Sequence, residues 1–234
     1  MIRVAYAAID ALSAQCESTL SREELERADA FKAAHRRQQF VLSRALLRML
    51  LEKHAGEPAA SFRLVADGRG KPHCIGGPAI SISHSRDLVV CAVTTDGDIG
   101  IDIEFADRPH DTSAIAARYF SEDETAWLGT QPKDHFYLLW VLKEAWLKAT
   151  GTGIAGGLNS LQCHVTPPQI EARTKNDVPA MLSVHRLGDA FIGLATTITA
   201  HDQLISYTWD ASSNGVLEDN ALRFLAGNSG KPVS

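Results

Sequence analysis

Four stretches of this chain carry residues whose types and spacing could do chemistry. In Asp98-Ile99-Gly100-Ile101-Asp102-Ile103-Glu104, a strand period of two sets the isoleucines on one face and Gly100, Asp102 and Glu104 on the other. The two carboxylates then lie about 6.5 to 7 Å apart along the strand, within reach of one hard cation. Gly100 leaves room beside them for something bulky. The same pattern also describes an edge strand with a solvated polar face, so a third carboxylate nearby is what would separate the two readings.

That third carboxylate is in Trp140-Val141-Leu142-Lys143-Glu144-Ala145-Trp146-Leu147-Lys148. Glu144 and Lys148 are spaced i, i+4 and share a helix face, with Trp140 one turn earlier on the same face. Alone, they are also what an ordinary surface ion pair looks like. The third stretch joins Ile80-Ser81-Ile82-Ser83-His84-Ser85, a strand ending in hydroxyl and imidazole groups, to the preceding Gly70-Lys71-Pro72. Both could contact anions, or could simply be turns. The fourth runs from Phe31 to Leu51, where Lys32, Arg36, Arg37, Arg44 and Arg48 occur with no carboxylate. Arg37, Arg44 and Arg48 fall at helical spacing and predict one basic stripe, suited to phosphates or to solvent.

The elements that must hold these groups are legible in outline. Good helix formers run from Ser21 to about Lys53, opened by a capping box at Ser21-Arg22-Glu23-Glu24. Strands are expected at 79–83 and 88–95, with Asp96-Gly97 as a hairpin turn into a strand at 99–104. Helices follow from about Asp111, from Ser121 with its own capping box to Glu124, and from Asp134 to Thr150, ending at Gly151. Strands are expected again near 161–166, 181–186, 190–199 and 203–209, and from about Ala211 the chain reads as a mobile tail. Helices grouped apart from antiparallel hairpins predict an α+β fold, and the order of elements hints at two halves of one design.

Composition bounds the rest. The 234 residues, 45% of them hydrophobic, suffice for one large domain or two small ones, and a wholly disordered or fibrous chain is not expected. A net charge of −5 argues against non-specific binding of nucleic acid. Cys16, Cys74, Cys91 and Cys163 show no C-x-x-C spacing, so zinc and redox pairs are not expected and reduced, cytoplasmic thiols are. With no apolar run of signal or membrane-spanning length, the chain reads as soluble and cytoplasmic. A serine hydrolase elbow, Gly-x-Ser-x-Gly, is missing.

Taken in order, the motifs resemble the 4′-phosphopantetheinyl transferases of the larger, surfactin-synthetase-activating type. The resemblance runs from Arg36-Arg37 through Gly70-Lys71-Pro72, Ser83-His84-Ser85, Gly100-Ile101-Asp102-Ile103-Glu104 and Phe120-Ser121 with Glu124, to the helix of Lys143-Glu144-Ala145 and Lys148. Its specific part is Gly-x-Asp-x-Glu followed by Trp-x-x-Lys-Glu-Ala-x-x-Lys. It implies two similar α+β subdomains packed as a pseudo-dimer, each with helices on a small antiparallel sheet: residues 1–97 with the basic helix and nucleotide contacts, 98–210 with the metal site, then the tail 211–234. It implies magnesium, or manganese in its place, on Asp102, Glu104 and Glu144. Coenzyme A, the co-substrate, would meet Arg37, Arg44, Gly70, Lys71, Pro72, Ser83, His84, Asp102 and Lys148. The implied partner is an apo acyl or peptidyl carrier protein whose serine takes the phosphopantetheine arm, with 3′,5′-ADP released by a monomeric enzyme. Glu144 and Lys148 are then the catalytic pair, Glu144 acting as base directly or through a water on the cation. Two other readings use the same residues: a magnesium-dependent hydrolase of nucleotide pyrophosphates, and a non-catalytic binding module in which Glu144 and Lys148 are structural.

Overall fold

The computed structural model describes residues 1–68, 70–107, 111–153, 157–198, 204–210, 215–219 and 221–228. They form two compact units, Met1–Asp96 with Asp202–Asn220, and Gly97–His201 with Ala221–Ser234.

The first unit begins with strand β1 (Ile2–Ala8), helices α1 (Ala14–Ser18), α2 (Arg22–Asp29) and α3 (Ala34–Ala55), then strands β2 (Leu64–Ala66), β3 (Pro72–Cys74), β4 (Ala79–Ser85) and β5 (Leu88–Thr94). The second repeats the order: β6 (Ile99–Phe105), helices α4 (Thr112–Tyr119), α5 (Glu122–Leu128) and α6 (His135–Thr150), then β7 (Leu161–Thr166), β8 (Gln169–Thr174), β9 (Met181–Leu187) and β10 (Ala190–Thr196). In each, the opening strand pairs antiparallel with the closing one, and the last two strands form a hairpin: β1 with β5 and β4, β6 with β10 and β9. In each, the long helix lies on that sheet and ends at a glycine in the left-handed region, Gly56 or Gly151. The expected α+β architecture of two similar halves is thus the one observed.

The repeat extends to buried charge. Both expected capping boxes form, at Ser21 with Glu24 and at Ser121 with Glu124. Each glutamate also reaches a buried cation on the long helix, Arg48 at 2.7 Å and Lys143 at 2.7 Å. Arg48 and Lys143 both stand eight residues before the glycine that ends their helix.

Three expectations change. Asp96-Gly97 is no hairpin turn: β5 already has β1 and β4 on its two sides, β6 pairs with β10 instead, and the dipeptide joins the two units. The segment after β10 does not stay with the second unit throughout, because β11 (Leu204–Asp210) pairs parallel to β1 and buries Tyr207 in the first core. Within the expected tail, β12 (Gly215–Asp219) pairs with β11, and β13 (Arg223–Gly227) pairs with β9 and β8. Residues 211–214, 220 and 229–234 of that tail lie outside the described residues. Ala226 is fully buried, and the Asn228 amide accepts from Leu182 N and donates to Ala180 O. Such non-local bonds leave no periodic trace in sequence.

Among the described residues no helix is long and apolar enough to cross a membrane. The four cysteines are free, and three of them are buried.

Candidate functional site

The site-forming strand and helix of the second unit meet more closely than side chains normally permit. A Cβ at Gly100 would fall 1.8 Å from the Ala145 carbonyl oxygen, and one at Gly193 would fall 2.4 Å from the backbone of Val141. Gly193 stands directly opposite Asp102 across the β6–β10 pair. The two glycines therefore form a floor on which α6 rests backbone to sheet. The space expected beside the carboxylates at Gly100 is filled by the protein's own helix.

That contact determines what α6 can present. Of the residues from Phe136 to Ala149, only Trp140, Glu144 and Lys148 escape burial, one per turn along a single stripe. Trp140 stacks on Phe136 with ring centroids 5.7 Å apart, and Phe136 stacks on Phe120 at 5.5 Å. Lys148 donates to the Asp102 carboxylate at 2.7 Å and to the Ile101 carbonyl at 3.0 Å. Asp102 is only 6% exposed, whereas the Lys148 side chain keeps 29% of its surface in solvent, so the pair is shielded from water on its carboxylate side.

Glu144 sits between these groups. Its carboxyl is pushed up to about 6, chiefly by burial and next by the neighbouring Asp102; Lys148 pulls it back, and Glu104 adds a further push. Asp102, Glu104, Glu144 and Lys148 are thus one electrostatic cluster. The three carboxylates offer hard oxygen donors whose mutual repulsion a divalent cation would relieve, so their chemistry fits magnesium. Among the described residues no three His, Cys, Asp or Glu side chains are placed so as to hold a metal ion together, and the Lys148 ammonium lies against Asp102.

Lys143 points the other way. Fully buried, it donates to Glu124 and to the carbonyls of Leu158 and Leu161, while Glu124 also accepts from the Cys163 backbone N–H. The pair ties α5, α6 and the outer edge of β7 together. The sequence read Glu124 only as a helix cap; the signal for its second role was the recurrence of Ser-x-x-Glu at 21 and 121.

The remaining expected residues stand on the first unit. Gly70 (φ 86°) and Lys71 shape the hairpin between β2 and β3, where Lys71 N donates to the Asp67 carboxylate at 2.8 Å and Pro72 opens β3. Ser83 and His84 are adjacent in β4, so they point to opposite faces of the sheet, Ser83 buried and His84 exposed. They do not form the single donor cluster expected. Nor is the basic stripe continuous. Arg37 is bound by Glu17 at 2.7 Å and Asp29 at 3.1 Å. Arg44 is 7% exposed, stacked over Phe40 and 3.8 Å from Glu24, and burial lowers its pKa. Arg48 is buried on Glu24. Helical spacing gave the right separation along α3, but Glu24 draws two of the three arginines inward.

The acidic cluster, held by a strand and a tightly packed helix, thus lies in one half of a two-unit α+β chain. A sequence model of the 4′-phosphopantetheinyl transferase superfamily matches residues 98–195, the stretch that carries the cluster. The chain is 34% identical over 161 residues to the 4′-phosphopantetheinyl transferase HetI of Nostoc sp., a match covering 65% of this chain and 68% of that one. With the 4′-phosphopantetheinyl transferase psf-1 of Bacillus pumilus it shares 32% identity over 185 residues, 76% of this chain and 78% of that one. An L-aminoadipate-semialdehyde dehydrogenase-phosphopantetheinyl transferase of Xenopus laevis is 27% identical over 173 residues, 67% of this chain and 57% of that one. The chain belongs to the 4′-phosphopantetheinyl transferase superfamily, as the order of its motifs led one to expect.

Proposed function

We propose that this protein transfers the 4′-phosphopantetheine arm of coenzyme A to a serine hydroxyl of an apo acyl or peptidyl carrier protein. The observation that carries the reading is the cluster of Asp102, Glu104, Glu144 and Lys148 on one open stripe of α6 and the facing strand. In the reaction the serine oxygen bonds to the phosphorus that bears the arm, the bond from that phosphorus to the bridging oxygen of ADP breaks, and 3′,5′-ADP leaves. Magnesium, or manganese, held by Asp102, Glu104 and Glu144 would neutralise the pyrophosphate oxygens.

The chain's own groups do the rest. Glu144 faces the site from the open stripe of α6 and is the group assigned to take the serine proton. Lys148 places its ammonium beside Asp102, where negative charge grows on the departing phosphate. On the first unit, Gly70, Lys71 and Pro72 serve the nucleotide end, the exposed His84 the phosphates, and Arg37 the ribose phosphate, whereas Ser83 and Arg44 are buried. Arg37 must then exchange Glu17 or Asp29 for that ligand, because both carboxylates hold it. We assign the protein to the cytoplasm, acting as a monomer without nucleic acid or membrane.

The test is incubation with coenzyme A, magnesium and several apo carrier proteins, reading the carrier mass. A gain of one phosphopantetheine that depends on the metal, and is lost with Glu144→Gln, is expected. Release of 3′,5′-ADP with every carrier unmodified would leave a hydrolase in its place.

A further inference from the structure

The sheet face that carries Glu104 continues outward beyond the site. Across four neighbouring strands the register sets Glu104 of β6 opposite Phe191 of β10, Phe191 opposite Arg186 of β9, and Arg186 opposite Arg223 of β13. Residues directly opposite one another share a face, so these four side chains form one row. With neighbouring strands spaced by about 4.8 Å, the backbone at Arg186 is about 10 Å from that at Glu104, and Arg223 is one strand further.

Arg186 is held in place. Its guanidinium lies 5.5 Å from the centroid of the Phe191 ring, the residue between it and Glu104, and its Nε donates to the Gly188 carbonyl at 2.9 Å. Asp189 lies 3.6 Å away but is 95% exposed, so its attraction is well screened. Arg186 and Arg223 are both exposed. Two arginines directly opposite each other weaken a strand pair, and Asp189 is the carboxylate that faces Arg186 from its own hairpin. A cost of this kind, adjoining a reaction site, is offset when an anionic partner sits on it.

We propose that Arg186 and Arg223 dock an acidic segment of the carrier protein next to its target serine, steering the carrier to the Glu104 end of the site. This rests on the transferase reading above. The arginines are exposed and rigidly spaced from the carboxylate cluster, so they guide the encounter without touching the reacting atoms.

The experiment uses the full-length protein with an acidic apo acyl carrier protein and a version of that carrier whose acidic residues flanking the serine are changed to amides. Arg186→Glu with Arg223→Glu is expected to lower kcat/KM for the acidic carrier by ~10-fold or more at low ionic strength. The deficit should shrink at about 0.5 M salt, which screens exposed charges, and KM for coenzyme A should stay unchanged. Recovery in salt also shows that the variant is folded; Arg186→Gln and Arg223→Gln, each alone, should give smaller losses in the same sense. The amide carrier should show little difference between wild type and variant. Equal kinetics for both enzymes on the acidic carrier would overturn the docking role, as would a rise in KM for coenzyme A with the carrier term unmoved. A wild-type enzyme that modifies no carrier would overturn the transferase reading first, and the docking role with it.

Discussion

His185 shows how much one side chain can reveal by being buried. It is 5% exposed and bonded through one ring nitrogen to Ser183 at 2.9 Å, while its Nδ1 has no hydrogen-bond partner among the described residues. Burial pushes its pKa down to about 4 from an ordinary 6.5. The folded state thus holds the neutral ring, and between those values the unfolded chain binds the extra proton. Stability from this group is complete above pH 6.5 and is lost as pH falls toward 4, by roughly 3 kcal/mol in all. Urea unfolding of wild type and His185→Gln across that range should show a shallower acid loss in the variant; parallel curves would assign the loss to the carboxylates instead. At the same scale, Lys143 is buried beside Glu124 and two carbonyls. Lys143→Met strands a buried carboxylate and should cost about 3 to 5 kcal/mol in denaturant titrations, whereas adding Glu124→Gln should recover part of that loss.

Elements place these residues, and the decisive contact is α6 on β6 and β10. Gly100→Ala would drive a methyl group into the Ala145 carbonyl oxygen, an atom that belongs to helix backbone and cannot swing aside. The helix must lift, moving Glu144 and Lys148 away from Asp102 together. We expect Gly100→Ala to cost about 2 to 4 kcal/mol in thermal unfolding and to abolish carrier modification even at temperatures where the variant is folded. Activity at wild-type level would mean that the helix reaches the site by another path. This is also the scale at which the sequence was most and least informative. Capping boxes at Ser21 and Ser121, and the glycine after Thr150, are local chemistry and were read correctly. The strand period of β6 put Asp102 and Glu104 on one face for the same reason. The opening strand β1, which owes its place to partners far along the chain, and β12 and β13 inside an expected tail, were not seen. The Lys148–Asp102 bond spans 46 residues and needed the glycine floor to be visible.

At the scale of the whole molecule, the duplicated order asks whether both units carry chemistry. Matching α3 to α6 by their buried cations and terminal glycines sets Met49 against Glu144 and Lys53 against Lys148. Arg3 of β1 bonds His54 where Gly100 meets Ala149, so Ala5 and Ala7 take the places of Asp102 and Glu104. Both alanines belong to the apolar core beneath α3. At the matching positions the first unit therefore keeps the cation of the repeat and lacks all three carboxylates, which leaves the proposed metal site to the second. Calorimetric titration with manganese should then find one ion per chain. Asp102→Asn or Glu144→Gln should remove that single site, and Met49→Leu should leave it intact. A second equivalent surviving Glu144→Gln would show that the first unit binds metal through residues the repeat does not match, and would end the assignment of one site to one half.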